Sequence, residues 1–303
     1  MSVTSKGAVN ETAKKILLDD YFLACLSREA SLLGRKEVLT GKAKFGIFGD
    51  GKELAQIAMA RQFKNGDWRS GYYRDQTFMM AIGELTVKQY FAGLYAHTDV
   101  NKEPSSGGRQ MGGHFSTRFI DGEGKWKNVM EHKNSSSDIS PTGGQMPRLL
   151  GLAQASKLYK QNEKLHHKTN FSNKGNEVAF GTIGDSSTSE GLFWETMNAA
   201  AVLGVPMCMC VWDNGWGISV PKKYQTAKES ISDSLSGMES APGQGGIKIF
   251  RVKGWDYANL QVTFDKAVRH ARENHQPVLI HVDEITQPQG HSTSGSHERY
   301  KSK

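Results

Sequence analysis

No run of apolar residues in this chain approaches the about 20 that span a bilayer, and no membrane association is expected. The opening stretch, MSVTSKGAVNETAKK, lacks both the apolar core of a secretory signal and the Arg-rich pattern of a transit peptide, so a cytoplasmic location is expected. Cysteine is scarce, three in 303 residues, which excludes a disulfide scaffold and agrees with that location. Cys208 and Cys210 alternate along an apolar segment and Cys25 sits in an apolar helical one. Buried free cysteine behaves as a small hydrophobe, so Cys208 and Cys210 are read as core residues and not as metal ligands. Internal repeats are absent. So is any recognisable nucleic-acid-binding motif, and no nucleic-acid partner is expected.

What is present is ordinary globular composition, 37% hydrophobic and 23% charged, with a net charge of +7. The basic residues are scattered, with one loose cluster from Arg35 to Lys44. A solvated basic surface is the first reading of that balance, and an anionic cofactor or an acidic protein partner accounts for the rest. The length allows one large domain or two small ones.

The densest chemical signal lies in the stretch GDSSTSEGLFWETMNAAAVLGVPMCMCVWDNGWGISVP, Gly184 to Pro221. Residues 178–183 form a short apolar, β-branched run that reads as a buried strand. Ser187 and Glu190 fit a capping box, residues 189–203 have helix-forming composition, and Gly204 closes them. A second buried strand follows at 205–212. Strand, helix, strand with short joints predicts a parallel βαβ unit, so the overall expectation is an α/β fold, a mostly parallel sheet with helices on both faces. Asp185 and Asn214 then sit just past the carboxyl ends of two strands, where open α/β sheets bind ligands. Their spacing, 214 − 185 = 29 residues, matches the about 30 of one such unit. Taken singly, each residue is ordinary turn chemistry. Together, beside the hydroxyls of residues 186–189, they suit a Mg²⁺ ion that also binds a diphosphate at a helix N-terminus.

Other segments point to the same edge. Helices are expected at 13–33, stopped by Gly34, within an N-terminal helical segment of about 11–45, and at 50–63, with Glu53 near its start. In GDWRSGYYRDQ, residues 66–76, two tyrosines, two arginines and two acids crowd together, a density foreign to a core strand. Arg74 there is either a phosphate fork or a surface partner of Asp75 or Asp67. Residues 104–145 lack periodicity and carry SSGGRQMGGH and SSSDISPTGGQ, whose small residues allow backbone to approach a ligand. A helix at 146–160 would present its N-terminus to the crevice. Strands at 248–252 and 277–285 flank a helix at 256–274, and the loop GHSTSGSHERYKSK would bring His291 to the same edge, as a solvated or a catalytic residue.

SGYYRDQ, GGRQMGGH, ISPTGGQ, the GDS to DNGWGISVP motif and GHSTS stand in an order that resembles the alpha chain of thiamine diphosphate-dependent 2-oxo acid dehydrogenase first components. GRQM, NGxxIS and GHSTS are most similar to the branched-chain 2-oxo acid (2-oxoisovalerate) type. The resemblance runs from about Leu17 to Tyr300. It implies that Asp185, Asn214 and the carbonyl of Trp216 ligate Mg²⁺, and that Gly184 opens the motif. It also implies that Tyr73 and Arg74 hold the diphosphate or line its entrance. Ser140 and Thr142 would contact the cofactor, Ser186 and Ser187 would bind through backbone N–H groups, and His291 would assist proton movement and acyl transfer. The implied activity is oxidative decarboxylation of branched-chain 2-oxo acids, with the acyl group passed to a lipoyl-bearing acyltransferase. A beta chain, separate or fused, would complete the site within a homo-oligomer or heterotetramer, and the chain alone is expected to be inactive. Ser186 stands where the motif usually has Gly, and Trp212 stands where relatives carry a phosphate-binding Arg, so Arg74 and a Lys are expected to do more. Residues 1–303 are taken as one diphosphate-binding domain that lacks the family's C-terminal helices and the beta half. A pyruvate or acetoin dehydrogenase alpha chain, a transketolase-like half and a non-catalytic cofactor-binding remnant are the alternatives.

Overall fold

In the computed structural model, which describes residues 11–301, the strands follow the chain as β1 (Trp68–Ser70), β2 (Asn134–Ser135), β3 (Ala179–Gly184) and β4 (Met207–Trp212). A two-residue hairpin, β5 (Trp216–Gly217) and β6 (Val220–Pro221), follows, then β7 (Lys248–Lys253) and β8 (Val278–Asp283). The N-terminal ten residues, read above for the absence of a leader, lie outside the described residues. Six strands pair, all parallel, in the order β2-β1-β3-β4-β8-β7. Among the described residues no helix is long and apolar enough to cross a membrane.

The apolar runs are strands because both of their faces are covered. Along β4, Cys208, Cys210 and Trp212 enter one core, while Met207, Met209 and Val211 enter the other. The first core is roofed by α2 (Glu53–Gln62) and α8 (Tyr257–Asn274), through Ala58, Met59, Phe264 and Val268. The second is roofed by α5 (Met146–Gln161) and α6 (Gly191–Leu203), through Met146, Leu149, Phe193 and Met197. Each fully buried side chain of this size contributes about 1.5–3 kcal/mol, and their alternation fixes which way every strand faces. The expected α/β sandwich with helices on both faces is the observed one.

Three local expectations give way. Helix α1 (Glu11–Leu39) continues through Gly34, because the residue serves close packing and not termination. A Cβ at Gly34 would lie 2.4 Å from the Phe48 ring. The Ser187 and Glu190 capping box does not form; residues 186–189 make a 3₁₀ turn, and α6 starts at Gly191 with no side-chain cap from Glu190. Gly204 does close that helix, in the left-handed conformation at φ 56°.

The crowded segment at 66–76 does contain a core strand. Arg69 of β1 is fully buried and donates to Asp75 at 2.6 Å and to both carboxylate oxygens of Asp138 at 3.0 Å. It also donates to the Ser135 hydroxyl at 2.8 Å and to the Tyr72 carbonyl at 3.0 Å. A guanidinium has enough fixed donors to satisfy that set, which is how so many charges fit beside a sheet. The network pins the irregular chain of residues 135–138, the start of the ISPTGGQ loop. Short helices α3 (Gln76–Ala81), α4 (Val87–Leu94) and α7 (Ile231–Ser234) complete the described elements, α4 with a Thr86 and Gln89 capping box.

Candidate active site

In the parallel ladder Gly184 pairs with Trp212, and Trp212 with Val282, so β3 and β4 end flush and β8 runs one residue further, through Asp283. Asp185, Asp213 and Asp283 therefore emerge at one edge. The Asp185 N–H donates to the Trp212 carbonyl at 3.2 Å, and the Asp213 N–H to that of Val282 at 2.9 Å, so the first residue beyond each strand is still held by the sheet.

Asp185 is 4% exposed. Its Oδ1 accepts the Asn214 N–H at 3.3 Å, while its Oδ2 is buried without a partner. Burial, and then the neighbouring Asp213, push its carboxyl up to about 7. Asp213 is treated differently: burial alone would raise it, but bonds from His281 Nε2 at 2.9 Å and Lys222 Nζ at 3.0 Å hold it below the usual carboxylate range. Its Oδ1 accepts the Gly215 N–H at 2.8 Å, and Asn214 Oδ1 accepts the Trp216 N–H at 3.0 Å. Behind it, His281 Nδ1 meets the Ser232 hydroxyl at 2.8 Å. The turn at 213–216 is thus fixed by side chains from β8 and α7.

Across a cleft of about 730 Å³ lie the cations. Arg74 pairs with neither Asp75 nor Asp67, which bind Arg69 and Arg272. It donates instead to the Phe48 carbonyl at 2.6 Å and the His291 carbonyl at 2.8 Å, and it meets His291 Nδ1 at 3.0 Å. A guanidinium has only donors, so Nδ1 is the acceptor and the ring proton is assigned to Nε2. Burial, then Arg74 and Lys52, lower His291 to about 4, which leaves it neutral at pH 7. Lys52, at the start of α2, is 2% exposed and lines the cleft. The expectation of a lysine beside Arg74 does not single out Lys52 in the sequence, because a lysine beside a helix start reads as a surface residue.

The lining brings together Tyr73, Arg74, Thr142, Gly184, Asp185, Ser186, Ser187, Asn214, Trp216 and His291. Ser140 stands one step back, bonded to His114 Nε2 at 3.0 Å, and the His114 ring lies 6.2 Å from that of Tyr73. The N-terminus of α5 is tied to the sheet and not open to the cleft: Gln145 accepts from Ser70 through its carbonyl at 3.0 Å and donates to the Thr182 carbonyl at 3.0 Å. Tyr72 and Trp212 also line the cleft, each with a buried polar atom that lacks a partner. Gly217 must lack a side chain, since a Cβ there would fall 2.1 Å from Ser186 Oγ.

The donor set fits a diphosphate with a divalent cation. Among the described residues no three His, Cys, Asp or Glu side chains gather as a metal site. A cation here would take the free Asp185 oxygen, the Asn214 amide and a backbone carbonyl, and the ligand's own oxygens would fill the rest, as hard cations with phosphates prefer. Lys52, Arg74 and the N–H groups of the 3₁₀ turn suit the anion.

Residues 24–303 match the dehydrogenase E1 component family, and the chain belongs to it. It is 31% identical over 242 residues to 2-oxoisovalerate dehydrogenase subunit alpha of Bacillus subtilis (strain 168), covering 80% of this chain and 62% of that protein. It is 29% identical over 267 residues to pyruvate dehydrogenase E1 component subunit alpha of Acholeplasma laidlawii, covering 88% and 64%. To 2-oxoisovalerate dehydrogenase subunit alpha 2, mitochondrial, of Arabidopsis thaliana it is 27% identical over 268 residues, covering 86% and 47%. The chain thus spans less than two thirds of the length of each of these relatives.

Proposed function

We propose that this chain supplies the Mg²⁺ and diphosphate half of a thiamine diphosphate site in a 2-oxo acid dehydrogenase first component, acting on branched-chain 2-oxo acids. The observation that carries the reading is the free, buried Asp185 oxygen beside Asn214, facing Arg74 across a cleft at the carboxyl edge of the sheet. A buried carboxylate with an unmade bond is costly unless a cation completes it. When bound, the cofactor supplies the electron sink for decarboxylation of a 2-oxo acid.

The protein's own residues bind, orient and exclude water. Asp185, Asn214 and the Trp216 carbonyl hold the cation, and Ser186 and Ser187 offer N–H groups to the diphosphate. Tyr73, with Arg74, would hold the diphosphate or line its entrance, and Thr142 would contact the cofactor. Neutral His291, its Nδ1 occupied by Arg74, would present Nε2–H to the substrate as a hydrogen-bond donor that orients it for acyl transfer to a lipoyl group. The carboxylate that activates the cofactor comes from a beta chain, so this chain alone is inactive.

Two measurements test the reading. Asp185→Ala is expected to abolish Mg²⁺-dependent thiamine diphosphate binding by calorimetry, and unchanged affinity would sink the site assignment. A panel of 2-oxoisovalerate, pyruvate and acetoin, offered to the chain with its beta partner, tests the substrate. The identities to the 2-oxoisovalerate and pyruvate relatives differ little, so a preference for pyruvate would replace the branched-chain reading.

A further inference from the structure

Two cations face the cleft, and among the described residues neither has a counter-ion in an ion pair. Among the described residues Lys52 forms no ion pair, and the one hydrogen bond of its ammonium is to the neutral Gln287 Oε1 at 2.7 Å. The acids nearest it in sequence are engaged elsewhere: Asp50 binds Arg35 at 2.7 Å, and Glu53 takes both prongs of Arg28 at 2.7 and 2.9 Å. Arg74 likewise bonds only neutral acceptors, the Phe48 and His291 carbonyls and an imidazole nitrogen. Gln287 adds nothing negative, and its own Nε2 is buried without a partner. An ammonium 2% exposed with donors to spare is a cost to the folded chain. Burial and the nearby Arg74 accordingly lower Lys52 to about 7. Natural proteins hold such unfavourable groups at binding sites, where the ligand completes them.

We propose that Lys52 is a diphosphate-binding residue of this site, acting with Arg74 as a two-cation clamp opposite Asp185. The assignment rests on the reading of the cleft as a diphosphate site. It explains how Trp212 can occupy the strand end without leaving the anion short of positive charge: the second cation arrives from the start of α2, on the other side of the cleft. It also gives α2 a task, since Lys52 is held where it is by the packing of Ala55, Ala58 and Met59 into the core.

The test measures affinity and ligand-free stability together. Lys52→Met removes the charge at similar length; Lys52→Gln keeps a polar group able to bond Gln287. Mg²⁺ with thiamine diphosphate, and Mg²⁺ with inorganic pyrophosphate, are titrated by calorimetry into wild type and both variants, each assembled with its beta chain, and ligand-free melting is followed at pH 6, where the lysine is charged. Both variants are expected to bind both anions about ten- to a hundredfold more weakly, the range of a charge-assisted hydrogen bond, and Lys52→Met to melt at or above the wild-type temperature. Affinities within twofold of wild type overturn the assignment. A lower melting temperature in both variants also overturns it, since that marks a structural lysine. Wild-type protein that binds pyrophosphate without favouring thiamine diphosphate leaves Lys52 assigned and overturns the thiamine reading. Wild-type protein that binds neither overturns both.

Discussion

Asp185→Asn should stabilise the ligand-free protein at alkaline pH and not at acid pH. The carboxyl, 4% exposed, is raised from its ordinary 3.8 to about 7 by burial and by Asp213. A group whose folded pKa lies above its unfolded value stabilises the fold in its protonated form. That contribution is whole below about pH 4 and is lost as pH rises through about 7. At about 1.36 kcal/mol per pH unit, the interval corresponds to about 4 kcal/mol at pH 8. Asparagine never ionises, and its amide oxygen can still accept the Asn214 N–H, so the variant avoids the loss. The expected gap between variant and wild type is close to zero at pH 4 and about 4 kcal/mol at pH 8. For a chain of this size that is about 8 °C in Tm. The assay is thermal melting in EDTA across pH 4–8, run beside urea titrations at both ends. A gap that stays the same at every pH, or a variant less stable at pH 8, would refute the argument that an unpaired buried carboxylate is waiting for a cation.

Two further outcomes test the frame around the site. Arg69→Met leaves Asp75 and Asp138 as buried carboxylates without their cation, and should cost about 3–5 kcal/mol in urea unfolding; a loss under about 1 kcal/mol would mean the network is dispensable. The His291 ring, followed by NMR, should titrate with a midpoint of about 4 in wild type and move toward its ordinary value of 6.5 in Arg74→Met; a wild-type midpoint near 6.5 would place it in solvent.

Much of this molecule is legible in its sequence because the signals are short-range. Continuous apolar runs flanked by Gly and Asp announce doubly buried strands, and the 29-residue spacing places Asp185 and Asn214 on neighbouring strands without any tertiary knowledge. What was not legible depends on partners distant in sequence. Gly34 has the letter of a helix stop, yet Phe48 decides that it is a point of close contact. Ser187 and Glu190 have the letters of a capping box, but the chain there winds into a 3₁₀ turn. Arg69 was invisible as a core residue because Asp138 lies 69 positions away, and Lys52 because its one partner lies 235 positions away. The surroundings of Ser140 are likewise set by distant residues, since its hydroxyl meets His114, whose ring stands beside that of Tyr73.

The shared register of β3, β4 and β8 makes the row of aspartates a question of strand pairing. Each of these three strands contributes one aspartate to the row, and sheet spacing sets them side by side. What distinguishes them is which one receives a counter-ion: Asp213 has Lys222 and His281, Asp283 has Lys253, and Asp185 has neither lysine nor imidazole. Loss of a single residue inside β4 would exchange its two faces, carry Asn214 out of line, and pair the wrong aspartate with the wrong core.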